Sequence, residues 1–307
     1  MAREVSRVVA DPGQIGTTPQ VPFLTLPDPS NLFKVRARRT EALVAGNPFA
    51  PFLEFMAAIM RAQGFALAET RRLPAAPLEA ASSDSASRPL LERGAILAAG
   101  DWREVLDTLR AQLTATRMPA EAAAALRALA ARPGSETTAF ADRVLDRRFI
   151  VAEAPEALFL MAALQVTWTQ RAARVNVARV IPRETAACPL CGAAPVASYV
   201  GASGERHGLR FLVCSLCAAA WRHVRIKCTA CGNTKGIGYH GIEGREGPAK
   251  AEACPECNAY AKIIYADKDA DAEPLADDLG SLALDVLMSD NGWRRAYPNP
   301  FLAPGVG

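Results

Sequence analysis

All eight cysteines of this chain fall in four Cys-x2-Cys pairs, and none lies before residue 188. The pairs repeat. Cys188, Cys191, Cys214 and Cys217 recur 40 residues later as Cys228, Cys231, Cys254 and Cys257. Tyr199 with Tyr239, Gly201 with Gly241, and Gly204 with Gly244 keep the same offset, so a whole structural unit has been duplicated.

Each unit reads Cys-x2-Cys, 22 residues, Cys-x2-Cys. A two-residue gap lets a tight knuckle aim two thiolates at one ion, and two knuckles complete a tetrahedron. Cys188-Pro-Leu-Cys-Gly192 and Cys228-Thr-Ala-Cys-Gly232 place glycine where the knuckle can need positive φ. Ala218 and Asn258 hold that place in the second knuckles, and of the two only Asn tolerates positive φ readily. Disulfides, redox-active dithiols and free thiols are the alternatives. A reducing compartment disfavours the first, and four knuckles in two registers do not resemble a single redox motif at a helix start. The expectation is two ions, one per unit, with an interleaved arrangement of knuckles as the competing pairing. Four sulfurs suit iron and zinc alike. With both quartets complete, His207, His223 and His240 are expected at the surface or behind the ligands.

The rest of the chain divides by texture. Residues 1–30 are proline-rich without periodic hydrophobicity and read as an extended arm. Residues 31–180 read as an all-helical domain. Within it Asn47 is the expected N-cap of a helix with Pro48 in its first turn and Phe49, Phe52, Leu53, Met56, Ile59 and Met60 on one stripe. Leu73 to Pro89 reads as an Ala/Ser/Pro linker. Asp101 and Glu104 have capping-box spacing ahead of Trp102, Val105, Leu106, Leu109 and Leu113. Further helices are expected over 120–131, 135–145 and 155–174, the last with Leu160, Met161, Leu164 and Trp168 inward. The first four-cysteine module spans 181–226 and the second 227–267, each with short β runs such as 196–200, 209–213, 221–226 and 262–265. Residues 268–307 form a C-terminal helix and tail, with Asp277 and Asp278 near the positive helix end and Leu275, Leu279, Leu282, Val286 and Leu287 on one face. The predicted fold class is therefore an α-helical domain followed by two tandem rubredoxin-like or zinc-ribbon modules and a final helix.

Composition narrows the function. The chain has 307 residues, half of them hydrophobic, and a net charge of +3, too small to argue for nucleic acid or an anionic membrane. Between Pro182 and Ala266, ten Lys or Arg outnumber six Glu, and two zinc tetrathiolates at −2 each would cancel that surplus, so Arg222, Arg225 and Lys227 read as compensation for thiolate charge. The apolar run 157–164 stops at Gln165 and is too short to span a bilayer. The N-terminus has no signal-peptide core, which places the protein in the cytoplasm. No nucleotide loop, nucleophile motif or catalytic His pair is found, and closed quartets leave no position for substrate, so no enzyme is expected.

Several longer motifs resemble the FdhE family of formate dehydrogenase accessory proteins. They are Cys188-Pro-Leu-Cys-Gly192, Leu209-Arg-Phe-Leu-Val-Cys-Ser-Leu-Cys217, Trp221 to Cys231, and Lys250-Ala-Glu-Ala-Cys-Pro-Glu-Cys257. Lys262-Ile-Ile-Tyr265, Ala276-Asp-Asp-Leu279 with Leu284-Asp285, and Asn299-Pro-Phe-Leu302 with Pro304-Gly305 add to them. The N-terminal half matches more loosely, through Asn47-Pro48 and the helix after it. The resemblance implies a cytoplasmic maturation factor that contacts the catalytic subunit of respiratory formate dehydrogenase and does not oxidise formate itself. It also implies iron in rubredoxin-like sites, with zinc the alternative.

Three functions follow for testing. The first is an assembly factor whose metal modules and helices form a docking surface. The second is a rubredoxin-like electron-transfer protein acting on the client's redox centre. The third, nucleic-acid binding by a zinc ribbon, would need surplus basic charge with interleaved aromatics, and the metal largely cancels that charge.

Overall fold

A computed structural model describes residues 21–70, 89–116, 118–182 and 185–304. The expected linker at 73–89, apart from Pro89, and the first twenty residues of the arm lie outside the described residues. The helical layer comprises α1 (Leu32–Ala42), α2 (Ala50–Glu69), α3 (Arg93–Ala99), α4 (Trp102–Thr114), α5 (Ala120–Ala131), α6 (Gly134–Leu145) and α7 (Ala154–Ala172). Helix α7 is its axis: every residue from Phe159 to Ala172 is buried, and the polar side chains of Gln165, Thr167, Gln170 and Arg171 are accommodated there by hydrogen bonds or an ion pair. The five predicted apolar residues of α4 face this core, as do Leu53, Met56, Ile59 and Met60 of α2. Among the described residues no helix is long and apolar enough to cross a membrane.

The caps differ from expectation. Asp101 makes no cap hydrogen bond, because its carboxylate is drawn into an ion pair with Arg171 of α7. Helix α2 starts three residues after Asn47, whose Oδ1 accepts from the Phe49 N–H (2.9 Å) while its Nδ2 donates to the Gly280 carbonyl (2.7 Å). Asn47 closes a turn and ties that turn to the C-terminal region.

The strands of the described residues are β1 (Leu24–Thr25), β2 (Pro195–Val200), β3 (Arg210–Cys214), β4 (Ala220–His223), β5 (Gly238–His240), β6 (Ala249–Cys254), β7 (Ala259–Tyr265) and β8 (Arg294–Arg295). The two repeats are therefore equivalent antiparallel meanders, β2-β3-β4 and β5-β6-β7. They are not separate modules. Strands β2 and β7 pair in parallel, Ser198 opposite Ile263 and Val200 opposite Tyr265, giving one sheet of order β1-β4-β3-β2-β7-β6-β5 with β8 added to β7. The described part of the N-terminal arm is packed, since β1 forms an edge against β4 and Leu24 is buried in the main core. A six-residue strand cannot bury enough apolar area alone, and pairing the units provides what each lacks.

Buried ion pairs fasten the sheet and helices. Arg210 Nη2 meets Ser198 Oγ at 2.8 Å and Glu252 Oε1 at 2.9 Å, and its Nη1 donates to the Val224, Arg225 and Lys227 carbonyls at 3.5, 3.1 and 3.2 Å. One side chain thus binds both units and the linker between them. The C-terminal helix is two helices, α8 (Pro274–Gly280) and α9 (Leu282–Asp290). Lys262 Nζ donates to the Asp278 carbonyl (2.7 Å) and the Ser281 carbonyl (3.1 Å) at the break and pairs with Asp285 (2.6 Å). Because the break resets the helix phase, Leu284 and Met288 turn inward while Val286 and Leu287 are 51% and 45% exposed, contrary to the predicted face. Asp277 and Asp278 are not free at a helix end either. Asp277 pairs with Arg39 of α1 (2.6 Å), and Asp278 with Arg295. Burial works against the Asp278 carboxylate, but Arg295 and Lys262 hold its pKa below the ordinary value.

Arg210→Met is expected to destabilise the protein by about 3–5 kcal/mol, because it strands a buried Glu252 and three carbonyls. Arg93→Met, which removes an exposed pair with Asp146, should cost no more than about 1 kcal/mol. Denaturant unfolding of the metal-loaded protein measures both, and equal losses would refute the clamp.

Candidate metal centres

The knuckles are built alike in both units. In the first, the Gly192 N–H bonds the Cys188 carbonyl (2.9 Å) and the Cys188 N–H bonds the Ala193 carbonyl (2.9 Å). In the second, Gly232 bonds Cys228 (2.9 Å) and Cys228 bonds Asn233 (2.7 Å). Closing that loop forces the residue after the second cysteine into the left-handed region: φ is 77° at Gly192, 81° at Gly232, 59° at Ala218 and 50° at Asn258. Ala218 carries that strain with a Cβ in place, whereas Asn258 uses its Nδ2 to reach the Gly292 carbonyl at 2.9 Å.

The sulfurs gather by unit. Cys188, Cys191, Cys214 and Cys217 form one cluster and Cys228, Cys231, Cys254 and Cys257 the other, with the Sγ atoms of each within 4.8 Å of one another. Within the first, Cys188 lies 3.6 Å from Cys217 and Cys191 3.4 Å from Cys214. Within the second the matching separations are 3.8 and 3.7 Å. A disulfide needs about 2.05 Å, whereas ligands about 2.3 Å from one tetrahedral ion stand about 3.8 Å apart. The spacing therefore fits four thiolates around one cation, and the cysteines are free rather than paired in disulfides. None of the three histidines joins a cluster. His223 Nδ1 lies 3.0 Å from the Val224 carbonyl, and His240 leans on Trp293.

The surroundings of the two clusters differ. The first is set into the helical layer: Gln165 Nε2 of α7 donates to the Ser215 carbonyl at 2.7 Å, and the Leu91 N–H to the Leu190 carbonyl at 2.8 Å. Cys188, Cys214 and Cys217 are buried. The second cluster opens to solvent, with Cys231 exposed and Cys257 half-buried. Its inner side is held by Tyr297 Oη, which donates to the Thr229 carbonyl (2.7 Å), and by Asn233 Nδ2, 3.5 Å from Cys254 Sγ.

Crowding splits the thiol acidities. Burial raises Cys214, but hydrogen bonds from Cys188, Cys191 and Cys217 outweigh it and hold that thiol well below the ordinary value, while burial pushes Cys191 and Cys217 up. Burial likewise raises Cys254, yet hydrogen bonds from Asn233, two backbone N–H groups and Cys231 bring it down to about 6. Burial and its sulfur neighbours push Cys257 up to about 12. Each cluster thus contains one thiol whose pKa lies below the ordinary value, Cys214 in the first and Cys254 in the second. Complete ionisation of four adjacent sulfurs requires a cation.

Sequence reasoning missed Asn233, Gln165, Arg210 and Lys262. The last two had a legible signal, a lone cation inside an otherwise apolar strand run. Of the basic residues read as charge compensation, Lys227 does lie against a knuckle, its Cε 3.8 Å from the position of a Cβ on Gly232.

A helical layer packed on one sheet carries two four-cysteine clusters, each of which could hold a metal ion. Comparison with known proteins assigns the family. The family description "FdhE, N-terminal" matches residues 21–184, "FdhE, central domain" residues 187–225 and "FdhE, C-terminal domain" residues 226–302. The chain is 38% identical over 303 residues to a protein FdhE homolog of Rhizobium meliloti, covering 97% of this chain and 98% of that one. It is 37% identical over 307 residues to the homolog of Stutzerimonas stutzeri, covering 97% and 98%. The crystal structure of the FdhE protein from Pseudomonas aeruginosa superposes with a TM-score of 0.81 at 34% identity, covering 92% of this chain and all of that one (100%). The chain belongs to the FdhE family.

Two outcomes test the centres. Ala218→Gly relieves left-handed strain and should gain about 0.5–1 kcal/mol, while Asn258→Gly should gain nothing, as read by thermal unfolding of the loaded protein. In metal-free protein, Cys254 has its folded pKa depressed from 9.0 to about 6, so its stabilising contribution is full above 9.0 and disappears as pH falls through about 6. Thiolate absorbance should therefore show a step near pH 6 that is missing in Cys254→Ser and shifted upward in Asn233→Ala. The same titration curve near pH 6 in wild type and in Cys254→Ser would contradict it.

Proposed function

We propose that this chain is a cytoplasmic maturation factor for respiratory formate dehydrogenase. It binds the catalytic subunit through a scaffold held together by two metal ions, and does not turn over formate itself. The observation that carries this reading is the gathering of eight cysteines into two closed quartets on a chain of the FdhE family. Cys188, Cys191, Cys214 and Cys217 hold one ion and Cys228, Cys231, Cys254 and Cys257 the other, in rubredoxin-like sites with iron preferred over zinc. An ion in either site supplies the positive charge that lets four sulfurs stay ionised side by side. The protein supplies the knuckles, the N–H groups of Leu216 and Cys217 (each 3.4 Å from Cys214 Sγ), and Asn233 at Cys254. With all four positions of each tetrahedron taken by protein, the role is to shape a surface for the client rather than to bind and transform a small substrate.

The exposure of Cys231 favours one second reading, electron transfer to a redox centre of the client, since an ion there lies close to the surface. Ferric thiolate colour that bleaches reversibly on reduction supports it, and a colourless protein fully loaded with zinc removes it. For the main reading, elemental analysis should find two ions per chain. Cys188→Ser and Cys254→Ser should each lower cellular formate dehydrogenase activity at least about tenfold, together with loss of an ion and of binding to the catalytic subunit. Normal enzyme activity in both variants would overturn it.

A further inference from the structure

The linker between the two units displays a surface that the metal centres leave unused. Because Arg210 draws the Val224, Arg225 and Lys227 carbonyls inward, the backbone of this segment is fixed from within. Its apolar side chains point out, Val224 being 46% and Ile226 56% exposed.

Three guanidiniums stand beside them. Arg222 is directly opposite Phe211 across β4 and β3, and its N–H bonds the Phe23 carbonyl at 2.8 Å. By the two-residue period of strands, Phe211, Arg222, Phe23 and Thr25 share one face of the sheet. Arg206 crosses that face from the turn after β2: its guanidinium lies 5.3 Å from the Phe211 ring centroid, and its Nη2 donates to Thr25 Oγ1 at 2.8 Å. It therefore passes alongside Arg222, over the small side chain of Ala220, which is opposite Thr25. Arg225 reaches the same turn, its Nη1 3.5 Å from the position a Cβ on Gly208 would take. All three arginines are exposed, and among the described residues none of them pairs with a carboxylate. Arg222 stands in register with Phe211, and Arg225 reaches Gly208.

Guanidiniums recognise carboxylates in bidentate geometry. Exposed Val224 and Ile226 need apolar partners that a phosphate backbone would not give, and Phe211 is buried, so it offers no open ring for a base. Resting on the maturation reading above, we propose that Arg206, Arg222, Arg225, Val224 and Ile226 form the client-docking face, and that its occupant is a segment of the client polypeptide in which acidic and apolar side chains alternate.

The test uses the full-length, metal-loaded chain titrated with purified formate dehydrogenase catalytic subunit at several salt concentrations. Changing all three arginines to Glu should weaken binding at least about tenfold and flatten its salt dependence, while changing all three to Lys should retain most of it. Val224→Ser with Ile226→Ser should weaken binding with salt dependence intact. Metal content is measured in each variant; should the triple reversal lose its ions, Arg225→Glu alone and the Ser pair decide by the same titration. Wild type that binds while these variants bind equally well overturns the docking face and leaves the maturation reading standing. Wild type that fails to bind the subunit sinks both. Loss, in the same variants, of binding to a duplex or single-stranded oligonucleotide, or of self-association, with subunit binding unchanged, assigns the face to a different occupant and overturns the proposal.

Discussion

Four sulfurs packed within 4.8 Å of one another are the constraint on which the sheet is organised. Four thiolates at that distance repel strongly, most of all in the more buried first cluster, and four sulfurs so placed are good soft-metal ligands. A single cation would relieve that repulsion. Everything local follows from bringing the sulfurs to it: two knuckles per unit, a left-handed residue after each, and strands that set the knuckles at matching ends of a meander. The strain at Ala218 is informative here. An L-residue with a Cβ stays at φ 59° only where the loop closure is over-determined by its surroundings.

Duplication of such a unit leaves two small meanders, neither with a core of its own. Parallel pairing of β2 with β7 solves this by joining the first strand of one repeat to the last strand of the other. A parallel contact between two meanders still needs something to fix its register. Arg210 does so from one side, with Ser198, Glu252 and the linker carbonyls as partners. Lys262, Arg295, Asp278 and Asp285 do so from the other, joined by Tyr260 Oη at 2.8 Å from Asp285 and Asn299 Nδ2 at 2.7 Å from Asp278. Buried charges of this kind contribute less to net stability than their number suggests. Their geometric demands nevertheless admit few alternatives, and this is what a joint between two repeats requires.

What the sequence discloses and what it hides follow from the range of the interactions involved. The knuckles, the duplicated unit and the apolar faces of α2, α4 and α7 are local patterns, readable because period and spacing are properties of neighbouring residues. The merging of two repeats into one sheet is not local. Neither is the destination of Asp101, a capping residue by its spacing, which instead pairs with Arg171 seventy residues away. The final helix failed as a single element for the same reason. Its break at Ser281 is set by Lys262 donating to the freed carbonyls and by Leu43, which lies 2.8 Å from where a Cβ on Gly280 would stand. Ala276-Asp-Asp-Leu279 and Asn299-Pro-Phe-Leu302 could be recognised as motifs, but only the fold explains them as the two ends of one buried polar network.

The duplicated centres have diverged in surroundings rather than in ligands. In the first, Gln165 and Leu91 bring the helical layer onto the backbone of both knuckles, so an ion held there would rivet helices to sheet. In the second, the inner knuckles are held by Tyr297 and Asn233, while Cys231 faces water. An ion enclosed on every side exchanges only when the surrounding structure opens, whereas one with an exposed ligand can be approached directly. Identical quartets in one sheet thus put the first site in the interior and the second near solvent, a difference set by packing and not by the chemistry of the sulfurs.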